Sequence, residues 1–207
     1  MRRIVLATRN GHKVRELHTL LKDLLEELEI EIVGMGEFPD VAEVVETGVT
    51  FAENATLKAV AAAQATGLPA LADDSGLAVD VLGGAPGVFS GRWAGTHGQD
   101  RANLELLLGQ LYDVADENRA AAFVCAAVLA LPDGTVVVRE GRMPGRVARE
   151  PRGDNGFGYD PVLLLDGDTR TSAELTFEEK NAISHRAKAF GALSGDLRTI
   201  FDRPATT

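Results

Sequence analysis

Hydrophobic and polar positions along the chain form blocks that predict strands followed by helices. The segment "RRIVLA" at 2–7, apolar after its two arginines, predicts a buried strand. Leucine and valine then recur with helical spacing, which predicts an amphipathic helix over 10–29. The segment "EIEIV" at 29–33 predicts a second strand. This alternation of strand and helix is typical of α/β folds, in which helices cover a sheet.

Helix boundaries are marked by capping residues. Thr50 and Glu53 have the spacing of a capping box before an alanine-rich segment that stops at Gly67. A second pair, Thr176 and Glu179, opens a helical region that extends to about residue 201. Ser184 is suited to start a new helix inside that region.

Other segments predict the remaining elements. The apolar run at 68–72 predicts a strand and 100–111 a helix. The β-rich segments 120–131 and 135–141 flank a Pro-Asp-Gly turn and predict a hairpin. Segments 145–150 and 160–165 favour two more strands. We therefore expect an α/β fold with a mixed sheet and flanking helices, in a single domain over 1–207 with two lobes.

Composition narrows the class of protein. The 207 residues carry a net charge of −10, which argues against non-specific binding to nucleic acid or anionic membranes. The sequence holds no apolar run long enough to span a bilayer, and its N-terminal apolar run is too short for a signal peptide. The single cysteine, Cys125, excludes an internal disulfide and is typical of a buried thiol. We expect a cytoplasmic protein.

Candidate chemistry begins at "ATRNGHK", residues 7–13, where the first strand turns into the first helix. Free backbone N–H groups and the helix dipole suit such a turn to anions. Lys13, about one turn into the helix, would reach a phosphate. An ordinary turn with Asn10 as N-cap and a solvated Lys13 is the alternative, and the full P-loop pattern is absent from the sequence.

Carboxylates and a lysine follow in two stretches. In "ETGVTFAENATLKA", Glu46 precedes a helix on which Asn54 and Lys58 share a face, although Lys58 alone is more typical of a solvated lysine. In "ADDSG", Asp73 and Asp74 directly follow the strand predicted over 68–72, at the position where open α/β sheets bind ligands. Asp74 suits a metal or the activation of a nucleophile, with Asp73 oriented by backbone amides; alternatively, both cap the turn.

Two later stretches carry aromatic and basic side chains. "PRGDNGFGYDP" places Phe157 and Tyr159 between glycines, where an aromatic face can stack on a base. Asp160 in that loop would bind a ligand or cap the turn. "EEKNAISHRAK" concentrates cationic side chains with one histidine, His185; the alternative is a basic solvated face.

Together these five stretches, in order from Thr8 to Arg186, resemble the inosine triphosphate pyrophosphatase family, which hydrolyses dITP, ITP and XTP to the monophosphate and pyrophosphate. The resemblance implies an elongated mixed β-sheet with flanking helices, two lobes around a central substrate cleft, Mg²⁺ as cofactor and a homodimer. It also implies that deaminated purine nucleotides are cleared from the pool. Gly91 and Asn155 depart from the residues common in the family, outside the proposed chemistry.

The same resemblance assigns roles to individual residues. Asp74 would be the general base and, with Glu46, a ligand of Mg²⁺. Phe157 would stack on the purine. The other substrate-binding residues that it implies are Thr8, Arg9, Asn10, Gly11, His12, Lys13, Lys58, Ser75, Gly158, Tyr159, Asp160, Lys180, His185 and Arg186, of which the last three would read the 6-oxo base.

Two other functions stay open at this point. A Maf-like pyrophosphatase would act on different modified nucleotides, which a substrate panel distinguishes. A non-catalytic nucleotide-binding regulator would release no pyrophosphate from dITP. The carboxylates argue against the regulator, since a binder of polyanions gains little from added negative charge.

Overall fold

The computed structural model describes residues 2–9 and 11–201, without the side chains of residues 12 and 15. The chain forms two compact units. Unit 1 comprises Met1–Asp74, Cys125–Gly141 and Arg186–Thr207, and unit 2 comprises Ser75–Val124 and Arg142–His185. The prediction of a single domain with two lobes stays a prediction.

In the described residues, six strands form one sheet: β1 (Arg2–Leu6), β2 (Ile30–Gly34), β3 (Ala70–Val79), β4 (Ala120–Ala130), β5 (Val136–Val147) and β6 (Leu163–Leu165). Their order is β2-β1-β3-β4-β5-β6. Strand β1 pairs parallel with β2 and β3, whereas β5 pairs antiparallel with β6. The predicted α/β fold with a mixed sheet is confirmed.

Unit 1 contains the helices α1 (Gly11–Glu27) and α2 (Phe51–Thr66). It also contains α5 (His185–Phe201) except for His185, which belongs to unit 2. One core cluster joins leucines of β1 and α1 to Phe190 of α5. Another joins the alanines of α2, among them Ala55 and Ala59, to Val5 and Ala72. These alanines are fully buried, so the small side chains bring α2 close to the strands. The N-terminal end of α2 is thereby held near the middle of β3.

Unit 2 contains α3 (Asp100–Gln110) and α4 (Phe177–Ile183). Leu77 of β3, Leu107 of α3 and Phe123 of β4 belong to its core cluster. Tyr159 and Leu163 also belong to that cluster, so the aromatic loop predicted from the sequence is anchored in a packed core. Of the helices that the structure describes, none has the length and apolar character needed to cross a membrane.

The largest difference from the predicted elements lies in β3. The strand was expected to end at residue 72, but it continues to Val79, so Asp73 and Asp74 lie inside it. Two adjacent charges normally mark the end of a buried strand, and here ion pairs from distant segments allow it to continue. Strand β5 likewise runs to Val147 and includes the start of the strand predicted over 145–150.

Candidate functional site

Five charged side chains of unit 1 lie together around β3, and we call them the carboxylate–lysine cluster: Lys13, Glu46, Lys58, Asp73 and Asp74. Asp73 is only 3% exposed and Asp74 only 9% exposed. A buried carboxylate is costly unless cations or hydrogen-bond donors compensate it. The partners of each aspartate therefore decide what it can do.

Asp74 and Glu46 converge on one ammonium group. Lys58 Nζ lies 2.7 Å from Glu46 Oε1 and 3.6 Å from Asp74 Oδ1. Asn54 Nδ2 donates a hydrogen bond of 3.2 Å to Asp74 Oδ2. Asn54 and Lys58 are four residues apart on α2, so one helical face supplies both contacts. Lys58, for which a solvated side chain was the alternative, is a half-buried ion-pair partner.

The loop that carries Glu46 is fastened to the first turn of α2. Gly48 N donates to Asn54 Oδ1 at 2.8 Å, and a Cβ at Gly48 would lie 2.6 Å from the Cβ of Glu53. Glycine is therefore required for this close approach. Thr50 and Glu53 form the predicted capping box, which sets where the helix begins. Loop and helix together place Glu46 beside Lys58.

Asp73 is held by two cations. Its Oδ2 lies 2.9 Å from Lys13 Nζ and 3.1 Å from Arg186 Nε. The other end of the Arg186 guanidinium binds Glu16 Oε2 at 2.8 Å, and both of these side chains are buried. Positive and negative charges thus alternate from Lys13 through Asp73 and Arg186 to Glu16. This arrangement holds Lys13, from the first turn of α1, against β3.

These surroundings shift the pKa values of the adjacent residues Asp73 and Asp74 in opposite directions. Burial acts to raise the pKa of Asp73, but attraction to Lys13 and Arg186 outweighs it and holds that pKa well below the usual range. Burial also raises the pKa of Asp74, and there Lys58 and Lys13 offset only part of the effect. Burial acts to lower the pKa of Lys58, yet Asp74 and Glu46 raise it overall. Asp74 is consequently the carboxylate whose charge is less fully compensated.

Glu46 and Asp74 are chemically suited to Mg²⁺. This ion prefers oxygen ligands and is usually bound through one or two carboxylates together with water and phosphate oxygens. The two carboxylates share one ammonium, so they are close enough to share a cation. Among the described residues, the structure shows no group of three or more His, Cys, Asp or Glu side chains placed to hold a metal. A two-carboxylate donor set fits Mg²⁺.

In unit 2, the aromatic loop is organised around Asp160, which is 2% exposed. Its Oδ2 accepts a hydrogen bond from Phe157 N at 2.8 Å and forms an ion pair with Lys180. Its Oδ1 accepts from Ser172 Oγ at 2.8 Å. Lys180 Nζ also lies 5.5 Å from the centre of the Phe157 ring, within cation–π range. Asp160 therefore caps the turn and positions both Phe157 and Lys180.

The same loop is fastened at three further points. Gly156 has a φ of 79°, and a Cβ there would collide with the Asp160 carboxylate. Gly158 N donates to Asp100 Oδ2 at 3.0 Å, and Tyr159 Oη donates to the Ser90 carbonyl at 3.0 Å. The Phe157 ring, by contrast, is 41% exposed. A rigid loop thus presents one aromatic face to solvent.

The other predicted site residues fall in different places. Arg9 is exposed and donates to the Val41 carbonyl at 3.0 Å, while Thr8 is half-buried and Gly11 begins α1. Asn10 and the side chain of His12 lie outside the described residues. Ser75 lies in β3 directly after Asp74. The roles predicted for these residues stay predictions.

The two residues that open α5 are both buried. Ser184 separates α4 from α5 as expected, and His185 stacks on Phe123 with ring centres 5.1 Å apart. Arg186, predicted to read the base, has its guanidinium on Asp73 and Glu16. Its observed contacts are with the protein's own carboxylates.

Sequence reasoning gave no site role to four residues that support these side chains: Glu16, Asn54, Asp100 and Ser172. Helical spacing was available as a signal for two of them, because Glu16 follows Lys13 by three positions and Asn54 precedes Lys58 by four. Nothing local in the sequence pairs Asp100 with Gly158 or Ser172 with Asp160.

Comparison with known proteins agrees with the motifs. The chain is 62% identical over 200 residues to the dITP/XTP pyrophosphatase of Streptomyces coelicolor, covering 97% of this chain and 99% of that protein. It is 50% identical over 198 residues to the dITP/XTP pyrophosphatase of Mycobacterium tuberculosis, covering 96% of each.

Solved structures agree as well. A HAM1 protein from Coxiella burnetii superposes with a TM-score of 0.87 at 46% identity, covering 96% of this chain and all of that one. The nucleoside-triphosphatase, or dITP/XTP pyrophosphatase, of Mycobacterium abscessus superposes with a TM-score of 0.79 at 51% identity, covering 92% and 98%. The profile of the Ham1 family matches residues 4–195. These matches confirm the family resemblance, and the chain belongs to the Ham1 family.

Proposed function

We propose that this protein is a Mg²⁺-dependent nucleoside triphosphate pyrophosphatase that converts dITP, XTP and ITP to the monophosphate and pyrophosphate. The observation that carries the proposal is the convergence of Glu46 and the buried Asp74 on the ammonium of Lys58. The names of its full-length relatives, dITP/XTP pyrophosphatases, support the choice of substrate.

Phosphate binding falls to the lysines of the carboxylate–lysine cluster. The protein as a whole is acidic, so a triphosphate must be neutralised locally. Ion pairs fix the ammonium groups of Lys13 and Lys58 in position. A preorganised ammonium group stabilises the charge that develops on the phosphates in the transition state at little cost in reorganisation. Glu46 and Asp74 would hold Mg²⁺, which when bound adds positive charge beside the phosphates.

Asp74 is the residue to which we assign the proton transfer. The oxygen of a water molecule attacks the α-phosphorus, the bond between the α-phosphorus and the bridging oxygen breaks, and pyrophosphate leaves. The proton of the attacking water passes to the Asp74 carboxylate. Asp73 is unsuited to this step, because two cations hold it in the charged form and keep it a weak base.

Phe157 supplies the face for the base. Its ring is exposed and its backbone is held by Asp160, so it can stack on a purine without ordering a mobile loop. A polar pocket that pairs with the 6-oxo group would reject adenine, whose 6-amino group leaves a buried partner unsatisfied. Guanine shares the 6-oxo group and differs from hypoxanthine by its 2-amino group, so its rejection would depend on a mismatch at that amino group. The cellular consequence would be removal of deaminated purine nucleotides before they enter DNA.

A product assay tests the proposal. The parent protein is given dITP with Mg²⁺ and with EDTA, and nucleotides and pyrophosphate are quantified. We expect dIMP and pyrophosphate only with Mg²⁺, and far slower turnover of ATP and GTP. Release of orthophosphate with dIDP, or equal rates on ATP, would contradict the proposal. Turnover of other modified nucleotides in preference to dITP would favour a Maf-like enzyme, and absence of any product would favour a nucleotide-binding regulator.

Assembly and location are further parts of the proposal. A homodimer would give about twice the mass of the 22.0 kDa chain in light scattering coupled to gel filtration, and a monomeric mass would contradict it. Fractionation of cells would test the cytoplasmic location.

A further inference from the structure

A pocket of about 200 Å³ opens on unit 2 beside the end of β5. Charged side chains dominate its lining: Arg119, Arg146, Arg149, Arg152, Asp116 and Glu150. Four guanidinium groups against two carboxylates leave a local excess of positive charge on a protein whose net charge is −10. None of these residues has a role in the proposed reaction.

Arg119 is the buried member of the group, with 2% exposure. Its guanidinium donates to three backbone carbonyls: Val147 at 2.8 Å, Leu111 at 2.5 Å and Ala148 at 2.9 Å. In the part of the chain that the structure describes, no carboxylate forms an ion pair with it. Carbonyl dipoles orient a guanidinium but only partly compensate its charge. Burial, and then repulsion from Arg149, lower the pKa of Arg119, as expected for a cation without a full counter-charge.

The two carboxylates do not cancel the excess. Asp116 is engaged by Arg149, with Oδ1 2.7 Å from Arg149 Nε. Glu150 is exposed and forms no ion pair among the described residues. Arg152 donates to the Thr169 carbonyl at 2.9 Å and lies 3.7 Å from Glu174.

Arg146 is the arginine most available to a ligand. It projects from β5 opposite Leu164 of β6, and Leu164 also lines the pocket. Among the described residues, no ion pair or side-chain hydrogen bond engages its guanidinium. Buried Arg119 and available Arg146 therefore line one pocket in which arginines outnumber carboxylates.

We propose that this pocket binds a small phosphate-class oxyanion, inorganic phosphate or pyrophosphate. Guanidinium groups present paired N–H donors that match the oxygens of such anions. The volume is below the roughly 300–1,000 Å³ of pockets for drug-sized ligands, which suits a small ion better than a larger ligand. The proposal does not depend on the proposed function, because the two involve different residues.

Backbone amide NMR tests the site locally. Uniformly ¹⁵N-labelled protein is titrated with sodium phosphate, and separately with pyrophosphate, at pH 7.5, and each titration is matched in ionic strength by sodium chloride. Saturable chemical-shift changes at the amides of Ala148, Glu150 and Leu164 with either anion support the proposal. The anion that binds with the higher affinity is then identified as the preferred ligand. These three residues line the pocket, so shifts of their amides distinguish binding there from binding of phosphate at the carboxylate–lysine cluster.

Two variants sharpen the test. Arg146→Gln removes an exposed guanidinium, so we expect a normal melting temperature and affinity about tenfold weaker or worse. Arg101→Gln makes the same change of charge on α3, where the side chain is 92% exposed and outside the pocket, and should bind like the parent. Shifts no larger than those from chloride, or equal affinity in Arg146→Gln and the parent, would overturn the proposal.

Discussion

The neighbouring residues Asp73 and Asp74 should respond oppositely to the same substitution. Asp73→Asn removes the negative charge that holds Lys13 and Arg186, whereas Asp74→Asn removes a charge that burial disfavours. We therefore expect Asp73→Asn to be strongly destabilised. Asp74→Asn should melt no lower than the parent, since Lys58 keeps Glu46 and Asn still accepts from Asn54.

The magnitude for Asp73 follows from its burial. Its side chain is 0% exposed and that of Arg186 is 3% exposed, so solvent screens the pair little. Breaking a buried ion pair by removing one partner typically costs about 3–5 kcal/mol. For a chain of this size that corresponds to a melting temperature lower by about 6–20 °C.

The pH dependence has a defined sign. Because the folded pKa of Asp73 is depressed, its ion pairs contribute stability that is fully present above the unfolded pKa of about 3.9 and is lost as pH falls through the folded pKa. The difference in stability between the parent and Asp73→Asn should thus be constant from pH 5 to 7 and shrink below about pH 4.

Thermal and urea unfolding of both variants at pH 7 provides the measurement, with Asp113→Asn, at an exposed position, as the charge-matched control. The control should stay within about 0.5 kcal/mol of the parent. Turnover of dITP by Asp74→Asn should fall by about 10²–10⁴. An Asp73→Asn variant as stable as the control, or an Asp74→Asn variant that melts well below it, would refute the reasoning from burial.

Three further substitutions test other parts of the structure. Phe157→Ala should raise the KM for dITP about 5- to 150-fold, because stacking contributes about 1–3 kcal/mol. The ring is exposed, so the melting temperature of the protein should not fall, and an unchanged KM would contradict the stacking role. Gly156→Ala should cost about 1–2 kcal/mol for its left-handed backbone, and more because the new methyl group meets Asp160, as urea unfolding would show. Thr50→Ala should cost about 1 kcal/mol through loss of the capping box with Glu53, whereas Thr50→Ser should retain most of the stability.

Features encoded by neighbouring residues were predictable from the sequence. The two predicted capping boxes, and Gly67 at the end of α2, lie where the pattern placed them. Helical spacing also put Asn54 and Lys58 on one face, and both contact Asp74. These features depend on residues three to four positions apart, so local chemistry is sufficient.

Features that depend on distant segments were not predictable. The end of β3 was misplaced because the charges of Asp73 and Asp74 are tolerated only through cations that the fold supplies from elsewhere. Arg186 was expected to face the base, and no local pattern reveals that Asp73, 113 residues away, is its partner. Asp160 offered two alternatives, ligand binding or capping of the turn, and only the folded loop shows its bond to Phe157 N.

The ion pair between Arg186 and Asp73 has a consequence for synthesis of the chain. Unit 1 is assembled from three separate segments, and the last of them begins at Arg186. While a ribosome is still making that segment, Asp73 lacks one of its two cations, and burying it is correspondingly unfavourable. A nascent chain, or one terminated before Arg186, would therefore leave unit 1 open to proteases, and the carboxylate–lysine cluster would become protected only once Arg186 had joined it.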